Sequence, residues 1–409
     1  MVSVLLQRLS YTPPPWASAL AAPTHGRIKL GHLPTPLMRW ACGALSELGV
    51  RWSIKRDDLS GNELSGNKVR KLEFLMAEAV AGGHDCVVTI GGVQSNHCRA
   101  TAAAARLVGI DAHLILLVRD KSFGDEPGLQ GNLLLDRLLG ATLHLCSGSD
   151  YLRQGGDLAA MNRINEQVAA ELRRQGRVPY IVPVGGTTPL GTWGYLSAAA
   201  AAAAEEAATF DPIDHIVFAV GSGGTAAGLA LGSHLAGLRP QLHGVAVHHS
   251  PEHFYDLIDA EVSELSGGSF EACAREMLAI YPGAGAGYGV ATPELMAFCA
   301  ETARQSGVLL DHTYSGKALY YFAQAARAQP ERFRGKHILF WHTGGAPAPQ
   351  KRNAKSCLTR RAYPPPSART PRAPRAHPTR PPTRPAGRAA RGPHLLPFRL
   401  ALERTPTPL

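Results

Sequence analysis

The sequence predicts an α/β fold with two open, twisted, mostly parallel sheets. Short continuous apolar runs alternate with longer helical stretches along most of the chain. The runs are apolar throughout rather than in alternation, as in strands covered on both faces by crossover helices. Glycine-rich turns follow several of the runs where a strand passes into a helix.

Residues 1–50 are proline-rich, and Pro34 and Pro36 predict an extended arm laid over the body. WSIKRDD (52–58) reads as a short strand. The polar turn Ser65-Gly66-Asn67 leads into a helix with Val69, Leu72 and Leu75 at helical spacing. Strands follow at 85–92, 111–118, 141–146 and 179–186, separated by helices that include an amphipathic one over 157–176. HIVFAVGSGG (215–224) is the next strand, QLHGVAVHH (241–249) follows, and helices then dominate until HILFWHTGG (337–345). Two groups of such units predict two α/β domains with a cleft between them: 1–69 plus 185–350, and 70–184.

Charge divides the chain. The net charge is +10, but residues 351–409 hold 14 Lys or Arg against the single acid Glu403. Residues 1–350 therefore carry 28 basic and 31 acidic side chains, a net of −3, which excludes a nucleic-acid footprint on the body. The tail holds 13 of the 31 prolines and has no hydrophobic period, which predicts disorder; its charge suits RNA or acidic lipid, and a non-adapted terminus with no partner fits equally well. Seven scattered cysteines without a C-x-x-C pair argue against a disulfide framework or a zinc site. No apolar run has the length of a membrane span. The N-terminus lacks a secretory pattern, so the expected location is cytoplasmic or mitochondrial, and not secreted.

Four constellations bear chemistry. Lys68 opens a helix, where the dipole and unpaired N–H groups disfavour the ammonium form. A lysine that sheds its proton readily can form a Schiff base with a carbonyl compound. In VGSGGTAAGL, the stretch Gly221-Ser222-Gly223-Gly224-Thr225 joins a strand to a helix and suits a phosphate monoester. It lacks the lysine of a nucleotide triphosphate loop and the full spacing of a dinucleotide site. In GGVQSNHCRAT, Ser95 and Asn96 stand before another helix and suit a carboxylate or a phenolate, though such residues also serve as plain helix caps. Tyr288, Tyr314, Ser315 and Thr343 complete the set, the last at a strand's carboxyl end.

Taken together, PTPLMRW, IKRDDLSGNELSGNKVRKLEFL, TIGGVQSNHCRATAAAA, GTWGY, GSGGTAAGL, YSGKA and HTGG appear in an order that resembles the fold-type II pyridoxal-phosphate enzymes of the ACC deaminase and D-cysteine desulfhydrase family. The resemblance runs from about Pro13 to Gly345 and implies a tryptophan synthase β-like fold, a pyridoxal 5'-phosphate cofactor, an amino-acid substrate and a homodimer. It implies that Lys68 bonds the cofactor, that Gly221, Ser222, Gly223, Gly224 and Thr225 hold its phosphate, and that Asn96 donates to its phenolate oxygen. Ser95 would face the substrate, and Tyr288 and Tyr314 would line the substrate side. ACC deaminases carry Glu at the position of Ser315 and Leu at that of Thr343. The hydroxyl pair follows the D-cysteine desulfhydrase pattern. A hydroxyl beside the pyridine nitrogen leaves a weaker electron sink than a carboxylate does, sufficient for β-elimination of a thiolate but poor for opening a cyclopropane ring. The implied activity is conversion of D-cysteine to pyruvate, hydrogen sulfide and ammonia. The alternatives are ACC deaminase activity, or an impaired isoform with a nucleic-acid-binding tail. After Gly345 the family's apolar helical segment is replaced by GGAPAPQKRNAK.

Overall fold

A computed structural model describes residues 7–61, 63–118, 130–209 and 212–345. The disorder expected of the tail from 351 lies outside the described residues.

The chain begins with two short paired strands, β1 (Arg8–Leu9) and β2 (Arg27–Ile28), then β3 (Leu37–Arg39) and β4 (Arg51–Arg56). Helix α1 (Lys68–Ala81) follows. Three strand–helix steps and a fourth strand come next: β5 (Cys86–Gly92), α2 (Asn96–Val108), β6 (Asp111–Val118), α3 (Gly131–Leu138), β7 (Thr142–Ser147), α4 (Gly148–Arg153), α5 (Leu158–Arg174) and β8 (Pro179–Ile181). The remainder runs α6 (Pro189–Thr209), β9 (His215–Val220), α7 (Gly224–Leu235), β10 (Gln241–Ala246), α8 (Pro251–Leu265), α9 (Ala274–Met277), β11 (Ala279–Pro282), α10 (Pro293–Ser306), α11 (Ser315–Arg327), α12 (Pro330–Phe333) and β12 (His337–His342).

The strands between 86 and 181 form a parallel sheet of order β7-β6-β5-β8, and those before and after it form a second of order β11-β10-β9-β12-β4-β3. In the second sheet only β3 runs antiparallel. The central strands are buried along their whole length, as expected of apolar runs covered on both faces. The sequence reading missed β11, whose four residues Ala279–Pro282 end in proline and carry no periodic signal. The arm expected to be irregular contains β3, and the strand expected over 179–186 ends at Ile181. Pairing of β8 with β5 ends at Ile181, and the chain then turns through Val184–Gly186.

Helix α1 belongs to both halves. Its Val69, Leu72, Leu75 and Met76 sit in the core under β5 and α2, while Phe74 enters the core formed by α6, α7 and β9. The N-terminal arm is pinned on it by Glu73, which pairs with Arg27 at 2.9 Å and accepts from the Leu30 and Gly31 N–H groups at 3.1 and 3.2 Å.

One carboxylate fixes α1 to the larger sheet. Asp57 follows β4 and is fully buried. It accepts from Thr35 Oγ1 (2.8 Å), Arg70 Nη2 (2.7 Å) and Nε (3.0 Å), Tyr195 OH (2.6 Å) and Trp341 Nε1 (2.8 Å). These donors come from the arm, α1, α6 and β12. Burial pushes the acid upward, but the Arg70 charge and the donors outweigh it and hold Asp57 at about 2.

Asp57→Ala strands the Arg70 guanidinium in the interior, so chemical denaturation is expected to show a loss of about 3–5 kcal/mol. The depressed acid also sets a pH dependence. Its contribution is complete above the unfolded value of about 3.9 and is lost as pH falls through about 2. Acid unfolding of the Ala variant should therefore be flatter than that of the wild type below about pH 4.

Candidate active site

Strands β4 and β12 run in register, Lys55 opposite Trp341 and Arg56 opposite His342, so Asp57 and Thr343 leave the sheet side by side. Strands β9 and β10 end together as well, with Val220 opposite Ala246. The segments that follow β4, β9 and β12 carry Lys68, Gly221 to Thr225 and Thr343, at the carboxyl edge where open parallel sheets bind ligands.

The turn before Lys68 is locked onto the end of β12. The Asn67 N–H donates to Thr343 O at 2.9 Å. Gly66 and Gly344 both have positive φ (106° and 87°), and a Cβ on Gly344 would lie 2.4 Å from Gly66 Cα. Only glycine permits that approach. Asn67 Nδ2 donates to Thr225 Oγ1 at 2.9 Å, which ties the Lys68 turn to the glycine turn after β9. Lys68 is the first residue of α1 and half-buried, and loss of hydration lowers it to about 8.

Lys71 lies one helical turn further on and is fully buried. Its Nζ donates to Gly185 O at 3.1 Å and Thr187 Oγ1 at 3.4 Å. A Cβ placed on Gly224 would stand 2.7 Å from that nitrogen, so the amine presses against the glycine turn. Burial first, and then the Lys68 charge, press Lys71 well below the ordinary lysine range. The sequence reading missed this residue. The i,i+3 spacing from Lys68 places both lysines on one helical face, and that spacing is the signal that points to it.

The turn from Gly221 to Thr225 joins β9 to α7. Gly223 has φ +85° and precedes the first residue of α7. Thr187 Oγ1 donates toward Ser222 O and Oγ at 3.1 and 2.9 Å, fixing the turn from the side of the Gly185–Thr187 segment. The Tyr314 ring covers Gly221, where a Cβ would stand 3.0 Å from its edge.

On the opposite wall Ser95 caps α2, accepting from the Cys98 N–H at 3.2 Å. The plain capping role is the one this bond fills. Asn96 is the first helical residue. Asn132 Nδ2 donates to its Oδ1 at 2.8 Å, so the donor end of the Asn96 amide is the end left for a ligand. His97, read as structural, is buried and bonded to Thr89 Oγ1 at 2.9 Å. Its ring lies beside Gly186 and Lys71, near enough to both lysines for their charges to act on it.

Tyr288 and Tyr314 meet OH to OH at 2.6 Å. Burial raises Tyr314 well above the usual phenol range. Lys317, also fully buried, donates to Ala284 O and Gly287 O at 2.6 Å each and so fixes the turn that carries Tyr288. Ser315 is the first residue of α11, and its Oγ donates to buried Asp311 at 2.7 Å. Thr343 is buried and joins the set through its carbonyl. Among the described residues no group of three or more His, Cys, Asp or Glu is placed to hold a metal. No described helix is long and apolar enough to cross a membrane.

Residues 28–344 match the pyridoxal-phosphate dependent enzyme family. The bifunctional D-cysteine desulfhydrase/1-aminocyclopropane-1-carboxylate deaminase, mitochondrial, of Arabidopsis thaliana is 44% identical over 344 residues, covering 83% of each chain. The D-cysteine desulfhydrase of Klebsiella pneumoniae is 36% identical over 327 residues, 79% of this chain and 94% of that one. A crystal structure of an ACC deaminase homologue superposes with a TM-score of 0.68 at 34% identity, covering 81% of this chain and 95% of the other. The tryptophan synthase β-like, fold-type II architecture expected from the motifs is the one found.

The donors fit the family's cofactor. The glycine turn, the start of α7 and the Lys71 amine suit a phosphate, the free end of the Asn96 amide suits a phenolate oxygen, and Lys68 is an amine lowered to about 8. The lowered lysine and the glycine turn are tied together through Asn67 beside the ends of β9 and β12, and the chain belongs to the pyridoxal-phosphate dependent enzymes.

Proposed function

We propose that this enzyme is a D-cysteine desulfhydrase, a carbon–sulfur lyase that converts D-cysteine and water to pyruvate, hydrogen sulfide and ammonia. The observation that carries the reading is Lys68, an amine lowered to about 8 and tied through Asn67 to the glycine turn that Lys71 backs. The choice of substrate is supported by the names of the relatives and by Ser315 and Thr343 at the two positions that separate the family's branches.

Bound pyridoxal phosphate supplies an electron sink for the pair left at the substrate's Cα. The chain's own residues do the rest. Lys68 Nζ, lowered to about 8, is the amine that would hold the cofactor and take the proton from Cα. The N–H groups of Gly221 to Thr225 and the Lys71 amine hold the phosphate, whose charge restores the proton to Lys71. Asn96 donates to the phenolate oxygen. Ser95 and the start of α2 receive the substrate carboxylate, and the Tyr288–Tyr314 pair bounds the substrate side. Ser315 and Thr343 face the pyridine side.

A second reading, ACC deaminase activity, is favoured by the bifunctional name of the Arabidopsis relative. Assaying both substrates on one preparation separates the two. We also assign a homodimer, a cytoplasmic or mitochondrial location, and a division into a cofactor-binding domain of 1–69 with 185–350 and a smaller domain of 70–184.

Lys68→Ala is expected to abolish both the visible absorbance of the bound cofactor and sulfide release, and retention of either rejects the assignment. In the cofactor-free protein the Lys68 amine is charged below about 8 and neutral above it. Its rate of carbonyl capture, followed by stopped-flow absorbance, should rise with pH to about 8 and then level, whereas an ordinary lysine continues to gain toward 10.5. Lys71→Met should raise the cofactor concentration needed for half-loading by about 30-fold or more, the equivalent of losing one partner of a buried charge pair.

A further inference from the structure

The hydroxyl of Ser315 is already committed as a donor. Its Oγ lies 2.7 Å from Asp311 Oδ1, and that carboxylate also accepts the Ser315 N–H at 2.8 Å. The other oxygen, Oδ2, accepts the Thr313 and Tyr314 N–H groups at 3.0 and 2.9 Å. A carboxylate only accepts, so the single proton between the two side chains belongs to Ser315. Ser315 Oγ in turn accepts the Asp311 N–H at 2.9 Å. Of the hydroxyl's one proton and two lone pairs, one lone pair is left.

The carboxylate cannot easily turn away. Asp311 is 3% exposed, and Gly345 closes over it, since a Cβ at that residue would stand 2.7 Å from both Cγ and Oδ1. The same exit from β12, Thr343 to Gly345, also locks the Lys68 turn through Gly66. Both ends of the site are therefore registered by one three-residue segment.

We propose that Asp311 is a positioning residue that makes Ser315 a hydrogen-bond acceptor toward the cofactor's ring nitrogen, so that the nitrogen retains its proton. The inference rests on the function proposed above, in which Ser315 faces that nitrogen. It reverses the simplest expectation for a hydroxyl at this position, which is donation to an unprotonated ring. A protonated ring withdraws electrons more strongly, so the sink is deeper than the Ser315 hydroxyl alone implies, and the preference for D-cysteine then rests on the relatives' names and the residue pattern rather than on a weaker sink.

The test is the ¹⁵N resonance of ring-labelled pyridoxal phosphate in the holoenzyme, with loading read separately from visible absorbance. The proposal expects the wild-type resonance at the protonated position at neutral pH. Ser315→Ala leaves Asp311 its three N–H partners but removes the acceptor, and should move the resonance toward the unprotonated position. Asp311→Asn should do the same, because its amide can donate to Ser315 and release the hydroxyl proton toward the ring. A loaded wild-type protein with an unprotonated nitrogen overturns the proposal and leaves the assigned reaction standing, as does a Ser315→Ala resonance identical to wild type. A protein that takes up no cofactor overturns the reading of the site and this proposal with it. The wild-type resonance decides the matter even if Asp311→Asn fails to fold.

Discussion

Everything at the site hangs from the Asp57 carboxylate. Five hydrogen bonds from Thr35, Arg70, Tyr195 and Trp341 converge on two oxygens in a fully buried place. A charge so deep is tolerated only because it is paired and every lone-pair direction is used. Arg70 is two residues beyond Lys68 and one before Lys71 on the same helix. Holding Arg70 therefore sets the axial position and rotation of α1, and with them the places of both lysines. Trp341 brings β12 to the same point, so the strand end that receives the Asn67 N–H is fixed by the same group.

Around that anchor the site is assembled by close backbone approach. Gly66 against Gly344, Gly224 against Lys71 and Gly221 against Tyr314 each occupy space where a Cβ would collide. These contacts explain why the motifs are glycine-rich at places far apart in the chain. They also explain why polar groups can converge without long side chains. Two amines lie one helical turn apart, and each is destabilised as a cation by burial, the deeper one further by its neighbour. An anionic ligand relieves that cost, so ligand binding and the local electrostatics of α1 are coupled.

Much of this was legible in the sequence. The central strands announced themselves as continuous apolar runs, and the turns after β5, β9 and β12 carried residues whose types suit an anion or a carbonyl compound. The motif order identified the family. What escaped was of two kinds. Short elements such as β11 and β3 have too few residues for a period and form because a neighbouring strand offers its edge. Buried polar contacts between distant segments leave no local trace. Asp57 looks like part of a polar turn until residues 35, 70, 195 and 341 are brought to it, and Asp311 looks like a helix cap until Gly345 closes over it. Lys71 was legible by spacing alone, yet a lysine on a helix is ordinarily a solvated one, and only its burial separates it from that class.

The central claim is a division of labour between two neighbouring lysines, Lys68 as the amine that bonds the cofactor and Lys71 as its phosphate partner. Borohydride reduction of the loaded protein, followed by peptide mapping with fragment-level mass spectrometry, tests it directly. The account predicts the reduced cofactor adduct on Lys68, with Lys71 unmodified. An adduct on Lys71, or on a lysine outside α1, contradicts it.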